Sequence, residues 1–422
     1  MLNFAKIIAF IFFANFANAQ WQWTELSPMP FPTSNNAVCE AIINGNEFVY
    51  SFGGIDTTKI YSGIHQRSFK YTVATDSWIE IDSLPDATGK IASAASFVKN
   101  KIYILGGYHV LSSSSEISSN KVHIYNPTTD LFEVDGAPIP LAIDDHVQCV
   151  YKDSLIFVVT GWSNTANKPN VQIYDPTANS WQLGTFTPNN AWFTSFGASG
   201  YILGDTLYYY GGAGGGSFAA RKYMRKAFID PNDPTNLTWS QMADAPGLAS
   251  YRAACSGTAN AMFWVGGSSV SYNYNGIAYN GSGGVAPSAR ILDFNQSNLQ
   301  FTDDNSQTYG VMDLRGIAKL SNNRWIICGG MDSTQTVSNR TFLLENQSVY
   351  LSENEAVNFT VKSFEDRIEI TSASDLEAQL TDTSGRVVQK FKEANNFIIN
   401  RVDCKSGVYI FIQGGRSIRI KL

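Results

Sequence analysis

The chain has 422 residues, of which 44% are hydrophobic, 13% aromatic and only 16% charged, with a formal net charge of −6. This length and apolar content supply a large core, divided between two folded parts rather than three. A weakly acidic chain without a Lys/Arg cluster argues against nucleic acid and against an anionic membrane surface as partners.

The first residues read as a secretory signal. Lys6 provides a short positive start, Ile7 to Phe16 is apolar apart from Asn15, and Ala17-Asn18-Ala19 offers small residues for cleavage before Gln20. The apolar run is too short for a membrane anchor, and no later segment is apolar enough to span a bilayer. Gln20 rather than Cys follows the cleavage site, which argues against lipoprotein processing. The expected location is therefore secreted, or attached to the outer cell surface, after cleavage near Ala19.

The next stretch, Trp23-Thr24-Glu25-Leu26-Ser27-Pro28-Met29-Pro30, has the form of the end of a repeat. The same Trp-to-Pro spacing recurs at Trp78 and Pro85, Trp181 and Pro188, and Trp239 and Pro246. Between these lie apolar runs ending in Gly-Gly at Gly53-Gly54, Gly106-Gly107, Gly211-Gly212, Gly266-Gly267 and Gly329-Gly330, and a sixth run ending Thr160-Gly161. Downstream of the glycines come aromatic pairs: Tyr71 and Trp78, Tyr125 and Phe132, Tyr174 and Trp181, Phe294 and Phe301. The fourth unit pairs Phe228 with Trp239 around an insertion at Asp230-Pro231-Asn232-Asp233-Pro234. A unit repeating at this period cannot bury its own apolar face and must stack on its neighbours.

These glycine and aromatic landmarks resemble the kelch repeat over nearly the whole chain between the signal and the tail. The resemblance implies an all-β fold, a six-bladed β-propeller of four-stranded blades over residues 20–347. The runs themselves agree, since Phe48-Val49-Tyr50-Ser51-Phe52 and Leu207-Tyr208-Tyr209-Tyr210 read as buried strands. The sixth unit lacks its own Trp strand, so the N-terminal segment is expected to supply it and close the ring, removing exposed sheet edges. Cys39, Cys149 and Cys255 fall on small-residue packing positions of separate blades, which argues against disulfides among them.

From about Ser348 the repeat stops. Asp382-Thr383-Ser384-Gly385-Arg386-Val387-Val388, then Gly407-Val408-Tyr409-Ile410, then the basic last strand Arg416 to Leu422 resemble the C-terminal sorting domain of the type IX secretion system of Bacteroidota. The resemblance implies that residues 348–422 engage the type IX machinery during export. Val402-Asp403-Cys404 departs from the family's usual pattern.

Ligands of propellers meet the mouth of the central channel. The residues expected to start each inner strand there include Asn36, Lys90, Asp145, His146, Trp192, Tyr251, Arg252 and Arg315. Arginine forks suit carboxylate or hydroxyl groups, and Trp192 and Tyr251 suit a sugar face; the same positions also suit hydrogen bonds between blades. The loops Ala213 to Phe218 and Ser268 to Ser288, rich in Gly and Tyr, are candidate binding surfaces. Scattered histidines give no metal spacing, and no cofactor motif is present. Asp144 and Asp145 are adjacent and are expected to point to opposite faces of one strand, unlike a glycosidase pair. The favoured reading is a non-catalytic module binding glycan or protein. The alternatives are a sugar-active enzyme resembling kelch-type sialate epimerases (mutarotases), with Arg252 and Arg315 holding a carboxylate while Asp145 or His146 moves a proton, and a structural role in adhesion or gliding.

Overall fold

The computed structural model describes residues 21–346, 360–363, 366–382, 386–405, 407–413 and 416–421. The signal segment, residues 347–359, and Thr383 to Gly385 of the turn expected in the tail lie outside the described residues. The chain forms two compact units, divided between Gln347 and Ser348.

The first unit is built from six antiparallel sheets, each with a four-stranded path, two of them carrying a fifth short strand (Glu116–Ser118 and Ala219–Ala220), together with a two-stranded ribbon of Trp162–Ser163 and Ala166–Asn167, and it has no α-helix among the described residues. Each sheet runs outward from an inner strand: Ala37–Ile43, Ile91–Val98, Val147–Tyr151, Phe196–Leu203, Ala254–Gly257 and Ala318–Leu320. The strand runs are β-branched and aromatic on both faces because each blade is covered by a neighbour on either side. Six separate apolar clusters fill the six gaps, and one of them joins Ala318, Leu320 and Ile326 of the last sheet to Val38, Val49 and Phe69 of the first. The array is thus a closed ring, a β-propeller.

Closure is made by the N-terminal strand. Trp21–Leu26 pairs antiparallel with Thr341–Asn346 over its full length, as the outer strand of the last sheet. Trp21 is packed against Phe263 and Trp325, with ring centroids 4.5 and 5.5 Å away, which ties the seam into the neighbouring sheet by apolar burial of about 2–3 kcal/mol for such a ring.

Tyr71, Tyr125 and Tyr174 are fully buried opposite Trp78, Phe132 and Trp181. Their hydroxyls donate to Asp76, Asp130 and Asn179, turn residues with φ of 46°, 56° and 48°. Asp and Asn tolerate that left-handed turn and accept the buried O–H, so one residue both shapes the hairpin and satisfies the ring. The fourth sheet departs from the expected pair. Trp239 lies opposite Ala227, while Phe228 faces Thr238 and is 52% exposed. The irregularity at Ile229/Asp230 adds to that hairpin, so the two aromatics do not share a register.

The second unit is a five-stranded antiparallel sheet in which Arg367–Asp382 pairs with Thr360–Ser363, Val387–Asn400 and Val408–Gln413, the last also pairing Arg416–Lys421. Ile370, Leu380, Phe397, Ile399 and Phe411 form its core. All five cysteines of the chain are free thiols, Cys39, Cys149 and Cys328 buried.

Candidate functional site

Where each inner strand begins, one residue takes a positive φ: Asn35 (56°), Ala92 (57°), Asp145 (47°), Gly197 (67°), Arg252 (49°) and Asp313 (65°). These six stand in a circle linked from sheet to sheet. Asp145 N donates to Ala92 O, Gly197 N to Asp145 O, Arg252 N to Gly197 O, Leu314 N to Arg252 O and Asn35 N to Asp313 O, at 2.8 to 3.1 Å. The last link is a side chain, Ala92 N donating 2.9 Å to Asn35 Oδ1. Gly197 is required at its place, because a Cβ there would lie 2.3 Å from the Tyr251 ring.

The polar members of the circle lock across it. Arg252, 1% exposed, donates from Nε and Nη2 to the two carboxylate oxygens of Asp145 at 3.0 and 2.6 Å, and from Nη1 to Asp313 at 2.8 Å. Ser34 Oγ and Asn35 Nδ2 donate to Asp313 as well. Arg315 donates from Nη2 to the His146 carbonyl at 2.8 Å, with Nη1 3.8 Å from Asp145. All three guanidinium nitrogens of Arg252 therefore already hold carboxylate oxygens.

On one side of Arg252 and Asp145 lies a pocket of about 140 Å³. Its walls are Tyr108, Trp162, Phe196, Phe218 and Tyr279, its polar lining Asp144, Asp145, Arg252 and Glu116. Trp162, Phe196 and Phe218 stand 5.4 to 5.8 Å apart, Trp162 and Phe196 each steeply tilted to Phe218, and Tyr279 sits 5.3 Å from Phe218. Tyr108 and Trp162 directly follow Gly107 and Gly161, and Phe218 and Tyr279 come from the loops after Gly212 and Gly267. The loop from Ser268 to Ser288 is folded inward, with Tyr272 fully buried and bridged to Ala278.

Asp144 and Asp145 both line this pocket, which corrects the expectation that they diverge. The cause is the left-handed φ of Asp145, which breaks strand alternation at that point. Asp144 is 3% exposed and accepts from Ser118 Oγ at 2.6 Å. Burial, with Asp145 beside it, pushes its carboxyl well above the usual range and favours the protonated form.

The other side holds a second cavity of about 400 Å³, lined by inner strands of all six sheets and by His146, Gln148, Arg315 and Lys319. Burial lowers the His146 imidazole to about 4, leaving it neutral. Its Nε2 meets Gln148 Oε1 at 3.0 Å.

Of the eight residues expected at the mouth, the structure brings Asp145 and Arg252 to the aromatic pocket, and His146 and Arg315 to the opposite cavity. Tyr251 is wholly buried between Phe196 and Tyr272. Asn36 joins the first sheet to the sixth, donating to Ser51 Oγ and the Cys328 carbonyl. Lys90 precedes the circle and pairs with buried Asp86 at 3.2 Å. Trp192 stacks on Tyr223 at 3.7 Å, outside either cavity. Ala92 and Gly197, each 14 positions before its first glycine as Arg252 is, take the circle places of their sheets, so Lys90 lies two residues and Trp192 five residues upstream of the circle. Asp313, Glu116, Tyr108, Trp162 and Phe196 escaped the sequence reading, whereas Phe218 and Tyr279 lie in the two loops it singled out; Tyr108 and Trp162, directly after Gly107 and Gly161, carried a legible signal.

Residues 92–134, within the second sheet and its neighbourhood, match the kelch motif. The kelch-like protein terF of Aspergillus terreus is 26% identical over 238 residues, covering 53% of this chain and 47% of the relative. The chain thus spans about half the length of the curated relative it matches. A solved structure titled "Structure of YjhT" superposes with a TM-score of 0.62 at 16% identity, covering 76% of this chain and 97% of that one. That likeness extends the fold assignment and nothing further.

Proposed function

We propose that this chain is a kelch-type binding module that admits a single sugar ring of a glycan into the pocket walled by Tyr108, Trp162, Phe196, Phe218 and Tyr279. One observation carries the reading: a ring-sized pocket lined by aromatic side chains and by carboxyl groups beside the circle of inner-strand starts. A cavity of about 150 Å³ holds one benzene-sized ring, and aromatic faces with a few polar groups are how small apolar-faced ligands are oriented. An acyl-type or sialate enzyme that clamps a carboxylate on Arg252 is disfavoured, because Asp145 and Asp313 already occupy its nitrogens.

The proposed role goes with secretion, which we propose from the sequence. Residues 1–19 resemble a signal peptide, and residues 348–422 resemble a type IX sorting domain in their Asp382 to Val388 pattern and basic end; in this reading the second unit delivers the propeller to the outer surface. A reporter bearing residues 348–422 should leave a type IX-competent bacterium, and retention inside the cell would reject that part.

The binding reading is tested by proton NMR of the full chain with reducing sugars, including glucose, glucosamine and sialic acid. Line broadening that disappears in Phe218→Ala supports it. Accelerated anomer exchange would instead place the chain among sugar-active enzymes, and no response to any sugar would reject glycan binding.

A further inference from the structure

The aromatic pocket is one-sided in its charge. Every nitrogen of Arg252, its only cationic lining residue, is spent on Asp145 and Asp313, so nothing there is left to hold an anion. The acidic side is not spent. Asp144 gives one oxygen to Ser118, and its other oxygen has no hydrogen-bond partner among the described residues. Glu116 lines the same pocket and is exposed, in no ion pair among the described residues, with a hydrogen bond to Asn273 as its one neutral side-chain partner. Around them the faces of Trp162, Phe218, Phe196 and Tyr279 present negative π density.

We propose that this pocket selects a cationic group, a protonated amine or quaternary ammonium, seated between Asp144, Glu116 and the aromatic wall. This rests on the pocket identified above and names the class of ring it takes: an amino sugar with a free amine rather than a neutral or acidic sugar. A cation over aromatic faces, desolvated and close to a carboxylate, gains from both the ring quadrupole and the charge. Burial and the neighbouring Asp145 oppose ionisation of Asp144 and favour its protonated form. An arriving ammonium reverses that balance, and the proton leaves Asp144 for solvent as the ion pair forms. Asp145, Arg252 and Tyr279 also face the site, but Asp145 and Arg252 neutralise each other.

The test is calorimetric titration of the full chain with D-glucosamine, D-glucose, N-acetylneuraminic acid and choline, in two buffers of different ionisation enthalpy. Glucosamine should bind roughly tenfold more tightly than glucose, N-acetylneuraminic acid should not compete, and the buffer dependence should report proton release. Glu116→Gln, at an exposed position, should narrow the preference for amine without changing the fold, and Asp144→Asn should abolish the proton release. Equal affinity for glucose and glucosamine would overturn the inference and leave sugar binding standing. Choline binding without glucosamine binding would keep the cation site and reject the sugar. Tighter binding of N-acetylneuraminic acid, or no binding of any probe, would overturn it outright.

Discussion

Arg252 and Asp145 lie 107 positions apart and meet through two parallel hydrogen bonds of 3.0 and 2.6 Å, joining the fifth sheet to the third beside the propeller axis. Because both side chains are sealed from solvent, neither charge can be left alone. Asp145→Ala should destabilise the propeller by about 3–5 kcal/mol, as expected for a buried charge stripped of its partner. Arg252→Lys should fail to restore stability, since an ammonium cannot reproduce the fork that also reaches Asp313. Urea unfolding of the three proteins decides this, and a loss under 1 kcal/mol in Asp145→Ala would show that the pair is solvated.

Gly197 occupies the same circle with a φ of 67°, its hydrogen facing the Tyr251 ring. Gly197→Ala combines a strained backbone with a clash, and should lower stability by about 3 kcal/mol. Gly204, also at positive φ but with open space around it, is the control: Gly204→Ala should cost about 1 kcal/mol. Equal losses at the two sites would remove the packing part of the argument.

The N-terminal strand should be indispensable. Deleting residues 21–32 exposes the edge of Thr341–Asn346 and empties the site of Trp21, so the melting temperature and protease resistance of the whole ring should fall together. Trp21→Ala alone should cost about 3–5 kcal/mol. Unchanged melting after the deletion would mean that the five other sheets and a three-stranded remnant suffice.

Stability should also depend on pH through the seam. The Trp21 indole donates to Asp293 at 3.0 Å, and burial lifts the Asp293 carboxyl from near 3.8 to about 7 against that bond. The folded chain therefore keeps a proton that the unfolded chain gives up near pH 4. Unfolding free energy falls as pH rises from about 4 to about 7 and is level above, because the folded state binds more protons across that window. Asp293→Asn should flatten this slope in urea titrations at stepped pH; an unaltered slope would assign it to another group.

Phe218 reaches the pocket from the glycine-rich loop and is only half-buried. Phe218→Ala should weaken ligand binding by about tenfold, near the 0.5–1.5 kcal/mol of one aromatic contact, while leaving the melting temperature within a degree or two. A matching loss of stability would mark Phe218 as a core residue.

The glycine pairs and the Tyr/Trp landmarks already determine an all-β repeat, since a strand that must end beside a close backbone needs glycine, and stacked sheets need large rings at matching heights. The Trp-to-Pro spacing at Trp23 likewise announces a strand looking for a partner at the far end of the repeats, and Trp21–Leu26 indeed lies along Thr341–Asn346. Local pattern could carry this much because it depends on neighbours one repeat away. It could not say which residues reach the axis. There, the left-handed residues Ala92 and Gly197 take the circle places and leave Lys90 and Trp192 upstream, while left-handed backbone at Asp145 turns two adjacent carboxyl groups into one pocket. Nor could it show that Arg252 is held by Asp145 and Asp313, because those partners come from three different sheets. Only closing the ring brings them within hydrogen-bond reach, and with that the candidate site changes from an array of free arginines to an aromatic pocket with open acids.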